Sequence, residues 1–253
     1  MRIIGVIPSR YASSRFPGKP LALIKGKPLI RRVWERAKMA KHLDDVIIAT
    51  DDERISSAAR SFGAKVEMTS ARCASGTDRV AEVAARYPDA AAFVNIQGDE
   101  PLISPLTIDG VASVFLKDKD GSVECATAVF PTTKIASPEI ENASTAKVIT
   151  DRNGFALYFS RALIPAPAAH ASLKSGVIYL KHIGIYGYRR NFLVEKIKSL
   201  EPCPMESIEQ LEQLRFLYNG IKIRCVNASS DSFGVDTPGD IVKIEKLLSE
   251  NND

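Results

Sequence analysis

The first hundred residues alternate short, nearly all-apolar runs with longer stretches of helical periodicity, and few architectures accommodate that order. Residues 3–8 precede a helical pattern at 28–41, 46–50 precede 53–62, 66–69 precede 78–87, and 93–97 precede 106–116. Strand and helix in alternation predict a parallel sheet covered on both faces. Runs such as Val46-Ile47-Ile48-Ala49 have the composition of strands buried on both sides. Ser104-Pro105 supplies a helix start, with proline at the first helical position.

After about residue 120 the texture changes. Residues 125–130, 147–150, 156–159 and 180–188 read as strands, and Asp151-Arg152-Asn153-Gly154 as a hairpin turn, so the second half is expected to add antiparallel strands. Residues 164–169 read as loop. Residues 207–219 predict one helix with Ile208, Leu211, Leu214 and Tyr218 on one face and Gly220 closing it. Residues 221–226 read as a strand, and Thr237-Pro238 opens a terminal helix running to Leu248. With no repeat, low-complexity tract or linker, the expectation is one α/β domain over residues 1–253, a central mostly parallel sheet with helices on both faces and an antiparallel extension.

With 45% apolar and 25% charged residues the chain falls in the ordinary globular range. Its opening apolar run is far too short to cross a bilayer and has no cleavage site behind it, so a cytoplasmic protein without membrane contact is expected. Cys73, Cys125, Cys203 and Cys225 form no C-x-x-C pair, which signals neither a zinc site nor a disulfide framework and fits a reducing compartment. A net charge of +4 suits small anionic substrates. The cations are dispersed and no nucleic-acid-binding signature appears, so nucleic acid is not an expected partner.

The chemistry is written in the loops after the strands. Pro8-Ser9-Arg10-Tyr11-Ala12-Ser13-Ser14-Arg15-Phe16-Pro17-Gly18-Lys19-Pro20 follows the first strand, and in an open α/β sheet the carboxyl ends of strands face the ligand crevice. Arg10, Arg15 and Lys19 can there meet one polyphosphate through charge-assisted hydrogen bonds, although a solvated basic loop reads the same way. Asp99, in Gln97-Gly98-Asp99-Glu100-Pro101, ends a buried run on the same side and is placed to hold Mg²⁺. Asp236 precedes the last helix and fits either a metal ligand or a residue accepting the helix's first N–H groups. Ser75-Gly76-Thr77-Asp78-Arg79 opens a helix and fits base or phosphate approach, or capping alone. Neither the dinucleotide fingerprint G-x-G-x-x-G nor a P-loop follows the first strand.

Together with Asn95-Ile96-Gln97-Gly98-Asp99-Glu100-Pro101, 156–161, His182-Ile183-Gly184-Ile185-Tyr186-Gly187-Tyr188, 211–215 and Val235-Asp236-Thr237-Pro238, these blocks resemble the 3-deoxy-manno-octulosonate cytidylyltransferases, in order from residue 3 to about 245. The resemblance implies a Rossmann-like nucleotidyltransferase fold, a homodimer, and transfer of CMP from CTP to the eight-carbon acid sugar 3-deoxy-manno-octulosonate (Kdo) for lipopolysaccharide assembly. Residues 1–120 would be mainly the CTP half and 121–253 mainly the sugar and dimerisation half. It implies Arg10 and Lys19 as triphosphate contacts, and Asp99 and Asp236 as Mg²⁺ ligands. Pro8, Ser9, Arg15, Ser75, Gly76, Arg79 and Gln97 would line the nucleotide pocket. Arg161 would meet the sugar's carboxylate, with His182, Tyr186, Glu212 and Gln213 around its hydroxyls. Taken singly, His182 and Tyr186 also fit sheet packing, and Glu212 and Gln213 a solvated helix face. The segment 164–176 lacks the charged and aromatic character of many relatives. Another ulosonic acid acceptor, 8-amino-Kdo or a sialic acid, remains an alternative within this class, and a non-catalytic sensor an alternative outside it.

Overall fold

The computed structural model describes residues 1–12, 15–132, 142–166 and 178–250, so most of the segment 164–176 lies outside the described residues. In chain order its strands are β1 (Arg2–Ser9), β2 (Leu23–Ile24), β3 (Lys27–Pro28), β4 (Asp45–Thr50), β5 (Lys65–Met68), β6 (Ala90–Asn95), β7 (Cys125–Thr132), β8 (Lys147–Thr150), β9 (Ala156–Ser160), β10 (Tyr179–Arg189) and β11 (Ile223–Asn227). The helices are α1 (Leu29–Lys38), α2 (Glu53–Ser61), α3 (Gly76–Arg86), α4 (Pro105–Lys117), α5 (Pro204–Glu209), α6 (Gln213–Tyr218) and α7 (Pro238–Glu250).

Strands from both halves enter one nine-stranded sheet, ordered β11-β7-β10-β6-β1-β4-β5, with β8 on β10 and β9 on β8. β6, β1, β4 and β5 are mutually parallel, and β11 is parallel to β7. β10 runs against both β6 and β7, and β8 and β9 form the hairpin, so the antiparallel extension is as expected. In that hairpin Gly154 takes φ 77, which glycine adopts without a Cβ clash.

Alternation along β1 serves two cores. Ile3 and Ile7 join α1, α2 and α4 on one face, while Ile4 and Val6 join α3 and the later aromatic residues on the other. A third cluster, Ile24, Leu29, Val235, Ile244 and Leu248, fixes α7 over the β2–β3 ribbon and buries the residue just before Asp236.

One helix departs from expectation. Residues 207–219 do not form a single helix: α5 ends at Gln210, which takes the left-handed conformation (φ 53, ψ 46), and α6 restarts at Gln213. Ile208 and Tyr218 are consequently exposed, 81% and 54%, while Leu211 and Leu214 are buried. A left-handed conformation costs a non-glycine residue roughly 1–2 kcal/mol, so neighbouring contacts must impose it.

Candidate active site

The carboxyl ends of β1 and β6 open onto a cleft of about 280 Å³ lined by Pro8, Ser9, Arg10, Arg15, Lys19, Ser75, Gly76, Arg79, Gln97, Asp99 and Asp236, among others. All eleven residues predicted for the nucleotide and metal side therefore line this one crevice. Gly98 lets the two strand ends meet, since a Cβ there would lie 3.0 Å from the Pro8 carbonyl oxygen and 3.0 Å from Ser9 Oγ.

Lys19 is the electrostatic centre. Its Nζ donates to Asp99 Oδ2 at 2.6 Å and to the Val235 carbonyl at 2.8 Å, and stands 3.9 Å from Asp236 Oδ1. Arg15 pairs with both Asp236 oxygens, at 3.0 and 3.3 Å. Helix capping does not occupy Asp236, because Asp240 performs it: Asp240 Oδ2 accepts from Thr237 N at 2.9 Å and from Asp236 N at 3.2 Å. Burial favours the neutral acid at Asp240, yet these N–H groups, Lys243 and the Thr237 hydroxyl bring it down to about 2.

At the amino end of α3, Ser75 forms a capping box with Asp78 and also donates its hydroxyl to Glu212 Oε1 at 3.3 Å. That loop caps α3 and also lines the cleft. A Cβ on Gly76 would touch Pro8 Cγ at 3.4 Å, so the helix start lies close against the end of β1. Arg79 is buried behind the cleft, bonded to the Thr69 hydroxyl and to Asp51 Oδ2 at 3.0 Å.

Of the residues predicted for the sugar side, His182 and Tyr186 lie on β10 where it passes the end of β6. Tyr186 pairs across the sheet with Asn95. A β-bulge between Ile183 and Tyr186 brings the His182 and Tyr186 rings to 5.3 Å, where a regular strand would set residues four apart at about 13 Å. The Thr127 hydroxyl donates to the Ile185 carbonyl at 2.8 Å, so at 3.0 Å it accepts from His182 Nε2, which fixes the ring as the Nε2–H tautomer. Burial lowers His182 to about 4 and keeps it neutral.

Glu212 bonds the Thr77 hydroxyl at 3.1 Å as well as Ser75, and burial raises its pKa. Gln213 is 5% exposed, and its Nε2 has no partner among the described residues; the same holds for Asn95 Oδ1, Tyr186 OH and Ser9 Oγ. Ser9 lines the cleft and Asn95 pairs with Tyr186 at the neighbouring end of β6, so these unpartnered buried atoms mark where a polar ligand would complete the bonding. Arg161 lies elsewhere in its bonding: its guanidinium donates to the carbonyls of Glu209, Gln210, Ala143 and Ser144. Glu100 carries no role from sequence, yet burial raises it to about 7 while its Oε2 accepts from Ser232 Oγ at 2.6 Å, tying the segment before Asp236 to the end of β6.

A mostly parallel sheet whose crevice joins a basic loop to two facing carboxylates defines a nucleotidyltransferase-type site. The family model described as Cytidylyltransferase matches residues 4–223. The 3-deoxy-manno-octulosonate cytidylyltransferase of Protochlamydia amoebophila is 47% identical, covering 99% of this chain and 96% of that protein. The mitochondrial 3-deoxy-manno-octulosonate cytidylyltransferase of Arabidopsis thaliana is 44% identical over 99% of this chain and 84% of its own length. The solved structure of CMP:2-keto-3-deoxy-manno-octonic acid synthetase complexed with CTP superposes with a TM-score of 0.90 at 39% identity, covering 99% of this chain and 100% of that one. This chain belongs to the 3-deoxy-manno-octulosonate cytidylyltransferase family.

Proposed function

We propose that the cleft binds CTP and Kdo together and that the chain transfers CMP to the sugar with Mg²⁺ held on Asp99 and Asp236. The observation that carries this reading is the placement of Lys19 Nζ 2.6 Å from Asp99 and 3.9 Å from Asp236, in a cleft that Arg10 and Arg15 also line. The donor set fits the ion: two carboxylates leave the remaining positions to water and substrate oxygens, as Mg²⁺ prefers. When bound, that ion supplies Lewis-acid polarisation of a phosphoryl oxygen and of the attacking hydroxyl.

The C2 hydroxyl oxygen of Kdo attacks the α-phosphorus of CTP. A new P–O bond forms, the bond between the α-phosphorus and the bridging oxygen breaks, pyrophosphate departs with that electron pair, and the hydroxyl's proton passes to water. Arg10, Arg15 and Lys19 meet the charge growing on the leaving group, Lys19 from an enclosed position and the two arginines from exposed ones. Asn95, Tyr186, Glu212 and Gln213 offer hydrogen bonds to the sugar hydroxyls, with neutral His182 beside them. A cytoplasmic location and a homodimer accompany the proposal. Among the described residues no helix is long and apolar enough to cross a membrane, and Leu157, Ile178 and Ile208 of the second half are exposed in the single chain.

The test is pyrophosphate release by purified protein with CTP, Mg²⁺ and, separately, Kdo, 8-amino-Kdo or N-acetylneuraminate, with an EDTA control. Release with Kdo that EDTA abolishes is expected. Release only with another acid would keep the chemistry and change the acceptor, and silence with all three would refute the enzymatic reading.

A further inference from the structure

The break between α5 and α6 decides which side chains face the sugar side of the cleft. In an unbroken helix that buried Ile208, Leu211 and Leu214, Gln213 would turn away from that face and Glu212 would sit only at its margin, one turn on from Ile208. The observed chain resets the phase at Gln210, exposes Ile208, and buries Leu211, Gln213, Leu214 and Phe216. Glu212 then reaches the hydroxyls of Ser75 and Thr77 at the start of α3.

Glutamine has no intrinsic preference for the left-handed region, so something holds it there. Arg161 Nε donates to the Glu209 carbonyl at 2.6 Å and Nη2 to the Gln210 carbonyl at 3.2 Å, gripping both sides of the break. The Glu209 carboxylate returns the grip, accepting from Ser160 Oγ at 2.6 Å and from Arg161 N at 2.8 Å. Beneath this lies Lys147, fully buried, whose ammonium donates to the carbonyls of Thr145 (2.7 Å), Asn142 (3.3 Å) and Arg161. Lys147 forms no ion pair among the described residues, and each of its three N–H groups is taken by a carbonyl, so it serves the backbone of Arg161 and no ligand.

We infer that Glu209 and Gln210, gripped by Arg161 over Lys147, are positioning residues: they set the phase of α6 and so present Glu212 and Gln213 to the acid-sugar acceptor. The inference rests on the acceptor side proposed above. It gives Arg161 a positioning role through the backbone of the break.

The test compares steady-state KM and kcat for Kdo and for CTP in the wild type, Gln210→Gly, Gln210→Val and Glu209→Gln, with thermal midpoints alongside. Glycine adopts the left-handed conformation freely and should keep the KM for Kdo within about twofold of wild type. Valine is β-branched and resists that conformation, so Gln210→Val should raise the KM for Kdo about tenfold or more while the KM for CTP stays unchanged. Glu209→Gln should act in the same direction, and it decides alone if the valine variant does not fold. Equal behaviour of the glycine and valine variants, or KM values for CTP and Kdo that rise together, would overturn the inference while leaving the activity standing. A wild type silent with Kdo would overturn both.

Discussion

Asp240 accepts the backbone N–H of Asp236 at 3.2 Å, and this contact divides the labour between two carboxylates at the start of α7. Asp240 also takes Thr237 N and the Thr237 hydroxyl, both at 2.9 Å, whereas the Asp236 carboxylate points to Arg15. Substitutions at the two sites should therefore separate stability from activity. Asp236→Asn should lower turnover by at least about 10²-fold and raise the Mg²⁺ concentration giving half-maximal rate, with little change in thermal midpoint. Asp240→Ala should cost roughly 0.5–2 kcal/mol, as loss of a helix-start acceptor does, while the Mg²⁺ response stays near wild type. Urea unfolding and Mg²⁺ titration of both variants check the division, which fails if Asp236→Asn destabilises as much as Asp240→Ala.

Lys19 is mostly enclosed, with 15% of its side chain exposed, and bonds Asp99 and the Val235 carbonyl at once. Lys19→Ala removes the cation facing the departing pyrophosphate and leaves Asp99 without that partner. Turnover should fall about 10²- to 10³-fold, the usual loss for one preorganised electrostatic contact. The fold should persist, because Val235 stays buried with Ile24, Leu29, Ile244 and Leu248. Pyrophosphate release together with a far-UV melting curve decides; near-normal turnover would remove Lys19 from the mechanism.

His182 gives the fold a pH dependence of known sign. Burial lowers it from 6.5 to about 4, so between those values the unfolded chain binds a proton that the folded chain refuses. Its neutral form supports stability fully above about pH 6.5, and that support falls away as pH drops toward 4. From pH 7 to pH 4.5 the loss attributable to this group is at most about 3 kcal/mol. Urea unfolding of wild type and His182→Gln at the two pH values should show the wild type losing more. Equal losses would mean that His182 is not held neutral by its setting.

The strands and helices of the first half were legible because their apolar pattern matches burial on both faces of a sheet, as Ile3, Ile4, Val6 and Ile7 illustrate. The nucleotide crevice was legible because its residues sit directly after strands, where the topology of an open sheet delivers them. Gln210 was not: periodicity carries no mark of a left-handed residue held by Arg161, just past the end of β9 and far away in sequence. Glu100 and Glu209 also lack a local signal, since burial and partners from other elements define what they do. A signal did exist for Asp240. Thr237-Pro238-Gly239-Asp240 has the spacing of a capping box, which frees Asp236 from that duty.

Gly187 offers a test of the packing that supports β10. It pairs with Val94 of β6 and Ala126 of β7, and a Cβ there would sit 2.9 Å from Val111 Cγ1 and collide with the Phe115 ring, both buried on α4. Gly187→Ala must therefore push α4 off the sheet or force Phe115 from its rotamer, at a cost of about 1–3 kcal/mol. For a chain of this size the thermal midpoint should fall by roughly 2–10 °C. If the clash is with Phe115, the cost is not additive with Phe115→Leu: in the double variant the smaller side chain relieves the overlap, and the alanine becomes much cheaper than it is alone. A double-mutant cycle in urea measures that coupling, and strictly additive losses would show that β10 and α4 yield in some other way.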